Sequence, residues 1–139
     1  MIKIIDNIGD IINLYEVFIL DQWGVMHDGS YGYINAINAV DKLVNNNKKL
    51  IIISNSSKRK STSVSRLKNL GFEKKNFLEV MTSGEMIWQE LNNSIDNYGK
   101  ELKNCFHIFD VSKEDGLTFR NGLEKFNFVS NVEEADFIL

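Results

Sequence analysis

The chain has 139 residues, 43% hydrophobic and 25% charged, with a net charge of -3 at pH 7. That composition excludes a disordered chain, and the charge leaves no overall positive field to draw in nucleic acid or an anionic membrane surface. The length suits one domain, or one and a piece, because folded chains of this size bury roughly two-thirds of the surface exposed when unfolded.

One cysteine, Cys105, excludes an internal disulfide, and no cysteine and histidine cluster has zinc-ligand spacing. Asp6, Asp10 and Glu16 interrupt the first twenty residues, which have neither the basic start nor the apolar run of a signal peptide. No stretch is long enough to span a bilayer. The expectation is a cytoplasmic enzyme or binding domain with no nucleic-acid or membrane partner.

Taken in chain order, Ile5 to Leu14 reads as a first helix. Val17, Phe18, Ile19 and Leu20 follow as a short apolar run ending at Asp21, which suits a strand covered on both faces. After a loop with Asp28, Gly29 and Gly32, the positions Ile34, Ile37, Val40, Leu43 and Val44 recur at helical spacing through about Asn45. Leu50 to Ile53 is the clearest strand and stops at Ser54, Asn55, Ser56 and Ser57. A strand, a helix and a second buried strand make a βαβ unit, so Asp21 and Ser54 are expected at the same, carboxyl end of neighbouring parallel strands.

Val64, Leu67 and Leu70 mark another helix stopped by Gly71, and Thr82 with Glu85 has capping-box spacing ahead of a further one. Beyond Gly99 come a strand at about Phe106 to Phe109, an irregular stretch, and apolar residues at Phe126, Phe128 and Phe137 to Leu139. Alternating strands and helices predict an α/β fold with a parallel sheet. The chain stops in mid-strand and reads as a truncated protein, with an uncovered apolar edge that favours homo-oligomers or aggregation.

Open parallel sheets bind ligands beyond the carboxyl ends of their strands. A carboxylate at Asp21 suits a nucleophile or a divalent-cation ligand, and Gly24 permits a sharp turn. Ser54 offers a hydroxyl, Asn55 and Ser56 offer backbone N–H groups, and Lys58, Arg59 and Lys60 follow at a helix start, a pattern that suits a phosphoryl group. The same residues also serve as turn and N-cap residues, and the basic run as a solvated face. Cys105 and Trp88 read as core residues, His107 has no visible ligand partner, and Glu133, Glu134 and Asp136 read as a solvated turn.

The run Phe18-Ile-Leu-Asp-Gln-Trp-Gly-Val-Met-His-Asp-Gly29 resembles the first motif of haloacid-dehalogenase-type hydrolases, and Ile51-Ile-Ile-Ser-Asn-Ser-Ser57 resembles their second. Leu67 to Leu91 is similar to the segment that leads into the cap of their class II members, here the nitrophenylphosphatase-like class IIA. The resemblance implies a Rossmann-like core over residues 1–97, the beginning of a C2-type α/β cap over 98–139, and an N-terminal portion only. It implies a Mg2+-dependent phosphatase for a small phosphorylated metabolite, working through an aspartyl-phosphate. Asp21 takes the nucleophile's place and is a metal ligand, the Trp23 backbone carbonyl is a second metal ligand, and Ser54, Asn55 and Arg59 bind the phosphoryl group.

Two departures qualify the implied chemistry. The family's phosphatases carry a second aspartate two positions after the nucleophile, where this chain has Trp23, and indole exchanges no proton near neutral pH. His27 and Asp28 lie nearby without the family's spacing, and relatives with a non-acidic residue there include dehalogenases and phosphonate-cleaving enzymes. The family's later lysine and metal-holding acids also fall beyond Leu139, which implies little or no turnover from this chain alone. The competing expectation is a non-catalytic truncated or decayed α/β protein that keeps a phosphate pocket. A flavodoxin-like or response-regulator domain would need an early acidic pair that the sequence does not place on a strand end.

Overall fold

The computed structural model describes residues 4–93, 102–112 and 115–139. Strands β1 (Val17–Leu20), β2 (Lys49–Ser54) and β3 (Glu79–Thr82) form a parallel sheet in that order, with β2 in the middle. Helix α1 (Ile34–Asn45) links β1 to β2, and α2 (Lys60–Leu67) lies between β2 and β3. The helix over 34–45 and the strand around Leu50 are found as the periodicity predicts. Strand β3 was not legible in the sequence, since Glu79-Val-Met-Thr82 carries only two strongly apolar residues.

The core lies on one face of this sheet. Phe18, Leu50, Ile52 and Val80 point from the strands toward Val40 and Leu43 of α1 and Leu67 of α2. On the other face Val17, Ile19 and Ile53 are exposed, Ile19 at 64%. The expectation that β1 is covered on both faces is therefore corrected: among the described residues only one face is covered.

The expected first helix is also corrected. Ile5 to Leu14 forms two short 3-10 turns, Ile8–Asp10 and Ile12–Leu14. Asn7 caps the first and Asp10 bonds back to it, so local polar side chains satisfy the backbone within one turn.

A second parallel sheet runs in the order β5 (Asn127–Phe128), β4 (Asn104–Phe106), β6 (Phe137–Ile138). The strand expected at Phe106 to Phe109 thus starts and ends earlier. The stretch read as irregular contains the short helix α4 (Asp115–Phe119). Asp136, read as part of a solvated turn, accepts the backbone N–H groups of Lys103 (3.0 Å) and Asn104 (2.8 Å) and so ties the approach of β6 to β4. The expected domain boundary between 97 and 98 lies outside the described residues.

Helix α3 (Ser83–Asn93) joins the two halves. Its first turn binds the loop after β2, while Trp88 and Leu91 pack against Cys105, Phe119, Leu123 and Phe126 of the second core. The thiol of Cys105 is buried, which pushes its pKa up to about 11, as suits a packing residue and not a nucleophile.

Gly84 is where α3 meets the loop after β2: its N–H donates to the Ser56 carbonyl at 3.0 Å. A Cβ there would run into the backbone carbonyl of Ser57, which has no side-chain freedom with which to yield. Gly84→Ala is expected to destabilise the fold by about 1–3 kcal/mol. A urea midpoint equal to that of the parent chain would show the contact to be relaxed at no cost.

Candidate functional site

The register pairs Leu20 with Ile52, so β1 and β2 end side by side and deliver Asp21 and Ser54 to the same sheet end. Side-chain alternation then separates them. Asp21 follows exposed Ile19 and lines an open concavity of about 630 Å3 with Trp23, Ile53 and Asn55. Ser54 is buried and lines a neighbouring cleft of about 610 Å3 under the loop after β1. Trp23 and Asn55 border both spaces. The Asp21 carboxylate is exposed and accepts the Gln22 N–H at 2.7 Å.

The loop from Gln22 to Tyr33 folds back on itself as a compact unit. Met26 N–H donates to the Gln22 carbonyl, Gly24 N–H to the His27 carbonyl, and Tyr33 N–H to the Met26 carbonyl, all within 2.9 Å. Gly24 and Gly29 have φ of 76° and 99°, values that side chains rarely tolerate. At Gly29 the Trp23 ring also fills the space a Cβ would need. Arg66 of α2 donates from Nη2 to the Gly29 carbonyl at 2.6 Å, which fixes the loop's far side to the helix.

The two residues considered as replacements for the missing acid differ in setting. Asp28 Oδ1 accepts the N–H groups of Ser30 and Tyr31, and these bonds hold its pKa below the usual carboxylate value. His27 is buried, and its Nδ1 accepts the Gly29 N–H at 2.9 Å, which assigns the proton of the neutral ring to Nε2. Burial, and then the nearby Arg66 charge, depress its pKa below 6.5. His27 thus enters the site as a neutral N–H donor. Sequence reasoning put Gln22 at the end of the first strand but did not place Ser63 or Arg66 here, because their approach depends on how the loop lies on α2.

The loop after β2 is held from below. Ser54 Oγ accepts the Ser56 N–H at 3.3 Å, and the Thr82 hydroxyl donates to the Lys58 carbonyl at 2.6 Å. The same Thr82 oxygen accepts the Glu85 N–H at 3.0 Å, which makes Thr82 the cap that its spacing predicts. Glu85 does not reach back to complete the box. Its buried carboxylate accepts from Arg59 Nε at 2.7 Å, from Arg59 Nη2 at 3.4 Å and from the Lys60 N–H at 3.1 Å.

Arg59 also lies 3.6 Å from the centroid of the Trp88 ring. It therefore lines neither concavity, and in place of the expected phosphoryl contact it has an ion pair with Glu85 and a stacking partner. Lys58, one residue earlier, does line the cleft.

A family model described as "Haloacid dehalogenase-like hydrolase" matches residues 18–114, well over half of the chain and including both strand-end motifs. The chain belongs to the haloacid dehalogenase-like hydrolases. Among solved structures, this hydrolase-family chain is similar to a haloacid dehalogenase-like hydrolase from Brucella suis 1330, with a TM-score of 0.77 and 23% identity. The likeness covers 98% of this chain and 48% of that one, so the chain spans about half the length of that relative. At that identity the match bears on the fold, and it agrees with the Rossmann-like α/β core. No curated protein matches the chain.

A Mg2+ ion takes one or two carboxylates and fills its remaining positions with water and phosphate oxygens. The exposed carboxylate of Asp21 in an open concavity, with the Trp23 carbonyl in the adjoining turn, fits that demand. Among the described residues no group of three or more His, Cys, Asp or Glu forms an all-protein metal cage. No helix of the described residues is long and apolar enough to cross a membrane.

Two predictions follow from these bonds. Arg59→Met leaves the Glu85 carboxylate buried without its cation, and is expected to cost about 3 kcal/mol in urea unfolding. A change within error of zero would show the pair to be dispensable. The second concerns pH. His27 and His107, both depressed below 6.5 by burial first and then by a neighbouring arginine, bind fewer protons folded than unfolded. Stability is then full above pH 6.5 and falls as pH drops through the depressed values. Glu85 adds a later loss: burial alone would raise its pKa, but Arg59 and the Lys60 N–H outweigh it, so its stabilisation fades below 4.5. His27→Gln is expected to flatten the first part of the stability–pH curve; an unchanged slope would assign that part to His107 alone.

Proposed function

We propose that this chain carries the nucleophile and phosphoryl-binding part of a Mg2+-dependent phosphatase acting on a small phosphorylated metabolite. The observation that carries the reading is the adjacency of an exposed carboxylate, Asp21, and a hydroxyl-and-amide loop, Ser54–Asn55, at the ends of paired parallel strands. In this reading Asp21 attacks phosphorus, the ester oxygen leaves with its bonding electrons, and water then cleaves the aspartyl-phosphate. Ser54 Oγ and the backbone N–H of Asn55 stabilise the charge that grows on the phosphoryl oxygens, donors of a kind each worth about 3 kcal/mol when preorganised. Bound Mg2+ supplies Lewis-acid neutralisation of the phosphate, held by Asp21 and the Trp23 carbonyl.

The class IIA assignment belongs to the same proposal: the second sheet, β5-β4-β6, is the beginning of the cap that chooses the substrate. The family's later lysine and acidic residues would come from chain corresponding to the other half of the Brucella suis relative. Trp23 leaves the general acid's place without an acid. Asp28 is engaged by its turn, and His27 is neutral at pH 7.

The test separates binding from turnover. Inorganic phosphate with Mg2+ is expected to bind the 139-residue chain, with Asp21→Asn weakening the Mg2+ dependence and Ser54→Ala the phosphate affinity, each by roughly tenfold. Calorimetric titrations identical for parent and variants would sink the assignment of these residues. Release of phosphate from a panel of esters is expected to be negligible for this chain alone. Robust Mg2+-dependent release would overturn the need for residues beyond it.

A further inference from the structure

The cleft beneath the loop after β1 holds more hydrogen-bonding capacity than the phosphoryl site needs. Gln22, His27 and Ser63 line it and are each more than nine-tenths buried. Among the described residues, the Gln22 amide, the Ser63 hydroxyl and His27 Nε2 have no hydrogen-bond partner in the protein, and no side-chain nitrogen or oxygen is sealed away without one. These atoms therefore open into the cleft. Arg66, half-buried in the same wall, gives one N–H to the Gly29 carbonyl and pairs with no carboxylate among the described residues.

Buried polar groups without partners cost free energy, and a half-buried guanidinium without a counter-ion costs more. Water can satisfy the neutral groups but does not neutralise the guanidinium. The groups present are mainly donors: the guanidinium, the Nε2–H fixed by the Gly29 bond, a hydroxyl and an amide. Lys58, Arg66 and Asp28 are the charged residues of the cleft's lining, which gives it a formal charge of one positive unit. Donors around a single net positive charge match a monoanionic oxygen group, and the guanidinium fork matches a carboxylate. The volume of about 610 Å3 lies within the range of small-molecule sites and exceeds what one phosphoryl group fills.

We propose that this cleft binds a carboxylate on the phosphorylated substrate, with Arg66 and His27 Nε2–H as its principal donors and Ser63 and Gln22 completing the contacts. The substrate class narrows to small phosphorylated acids whose two ends reach from Asp21 and Ser54 to Arg66. The proposal rests on the phosphatase reading for the phosphoryl end only; the carboxylate site stands on its own residues.

The experiment is calorimetric titration of the 139-residue chain, with Mg2+ present, by two esters that differ in one group: 3-phosphoglycerate and glycerol 3-phosphate. The carboxylate-bearing ester is expected to bind roughly tenfold tighter. Arg66→Met is expected to remove that advantage. Because Arg66 also anchors the loop, Ser63→Ala serves as the second variant and is expected to reduce the advantage without disturbing the fold. Equal affinity of the two esters for the parent chain, or an advantage that survives both substitutions, overturns the proposal and leaves the phosphatase reading intact. Acetate alone, followed by the His27 imidazole resonances, separates the opposite failure. If neither ester binds but acetate shifts those resonances in the parent and not in Arg66→Met, the carboxylate site stands and the phosphatase reading falls.

Discussion

Glu85 sits where three pieces of chain meet, and the shape of the site depends on how its charge is satisfied. Its oxygens take the Arg59 guanidinium and the first backbone N–H of α2, while its own N–H is capped by Thr82 at the end of β3. A carboxylate this buried is tolerable only when fully bonded, so the pair serves less as a source of net stability than as a constraint on geometry. Once it is made, α2 and α3 have fixed starting points. The loop between β2 and α2 has one course left to it, with Ser54 turned into the cleft and its backbone pressed against Gly84.

The opposite wall is built by another economy of contacts. The loop after β1 has almost no apolar interior of its own apart from Met26, and it keeps its form by bonding its backbone internally. Two left-handed glycines make that possible, and the Trp23 ring over Gly29 closes the curve. Arg66 then joins loop and helix through a backbone carbonyl, which takes one N–H and leaves its charge unpaired by any carboxylate among the described residues. The positive character of the cleft is thus a by-product of how the loop is fastened.

Exposed Val17, Ile19 and Ile53 lie on the sheet face that carries Asp21, whereas the covered face carries Ser54. The Asp21 carboxylate and the Ser54 hydroxyl therefore approach the strand ends from different sides of the sheet. A phosphoryl group that touches both must sit across the ends of β1 and β2, beside Trp23 and Asn55, which border both spaces. Helix α3 couples this end to the second sheet, since its first turn braces the loop after β2 and its Trp88 stacks on Arg59 and packs on the second core.

The order of strand, helix and strand was legible in the sequence because apolar runs and helical spacing are local properties. The same holds for the placement of Asp21 and Ser54 at one sheet end, and for Thr82 as a cap. The opening turns were misread because a helical pattern of apolar residues was weighed above Asn7 and Asp10, whose side chains close the backbone within a turn. Strand β3 was missed because its stability comes from pairing with β2 and not from its own composition.

Local patterning of residues carried the fold class and the motif positions. The tertiary structure alone decided which charges meet. Arg59 stands beside Ser54 in sequence but is claimed by a carboxylate 26 residues away, while Arg66 reaches a carbonyl 37 residues away and faces the cleft. Long-range pairing follows from where helices are set on a sheet, and a local pattern of residues carries no record of that distance.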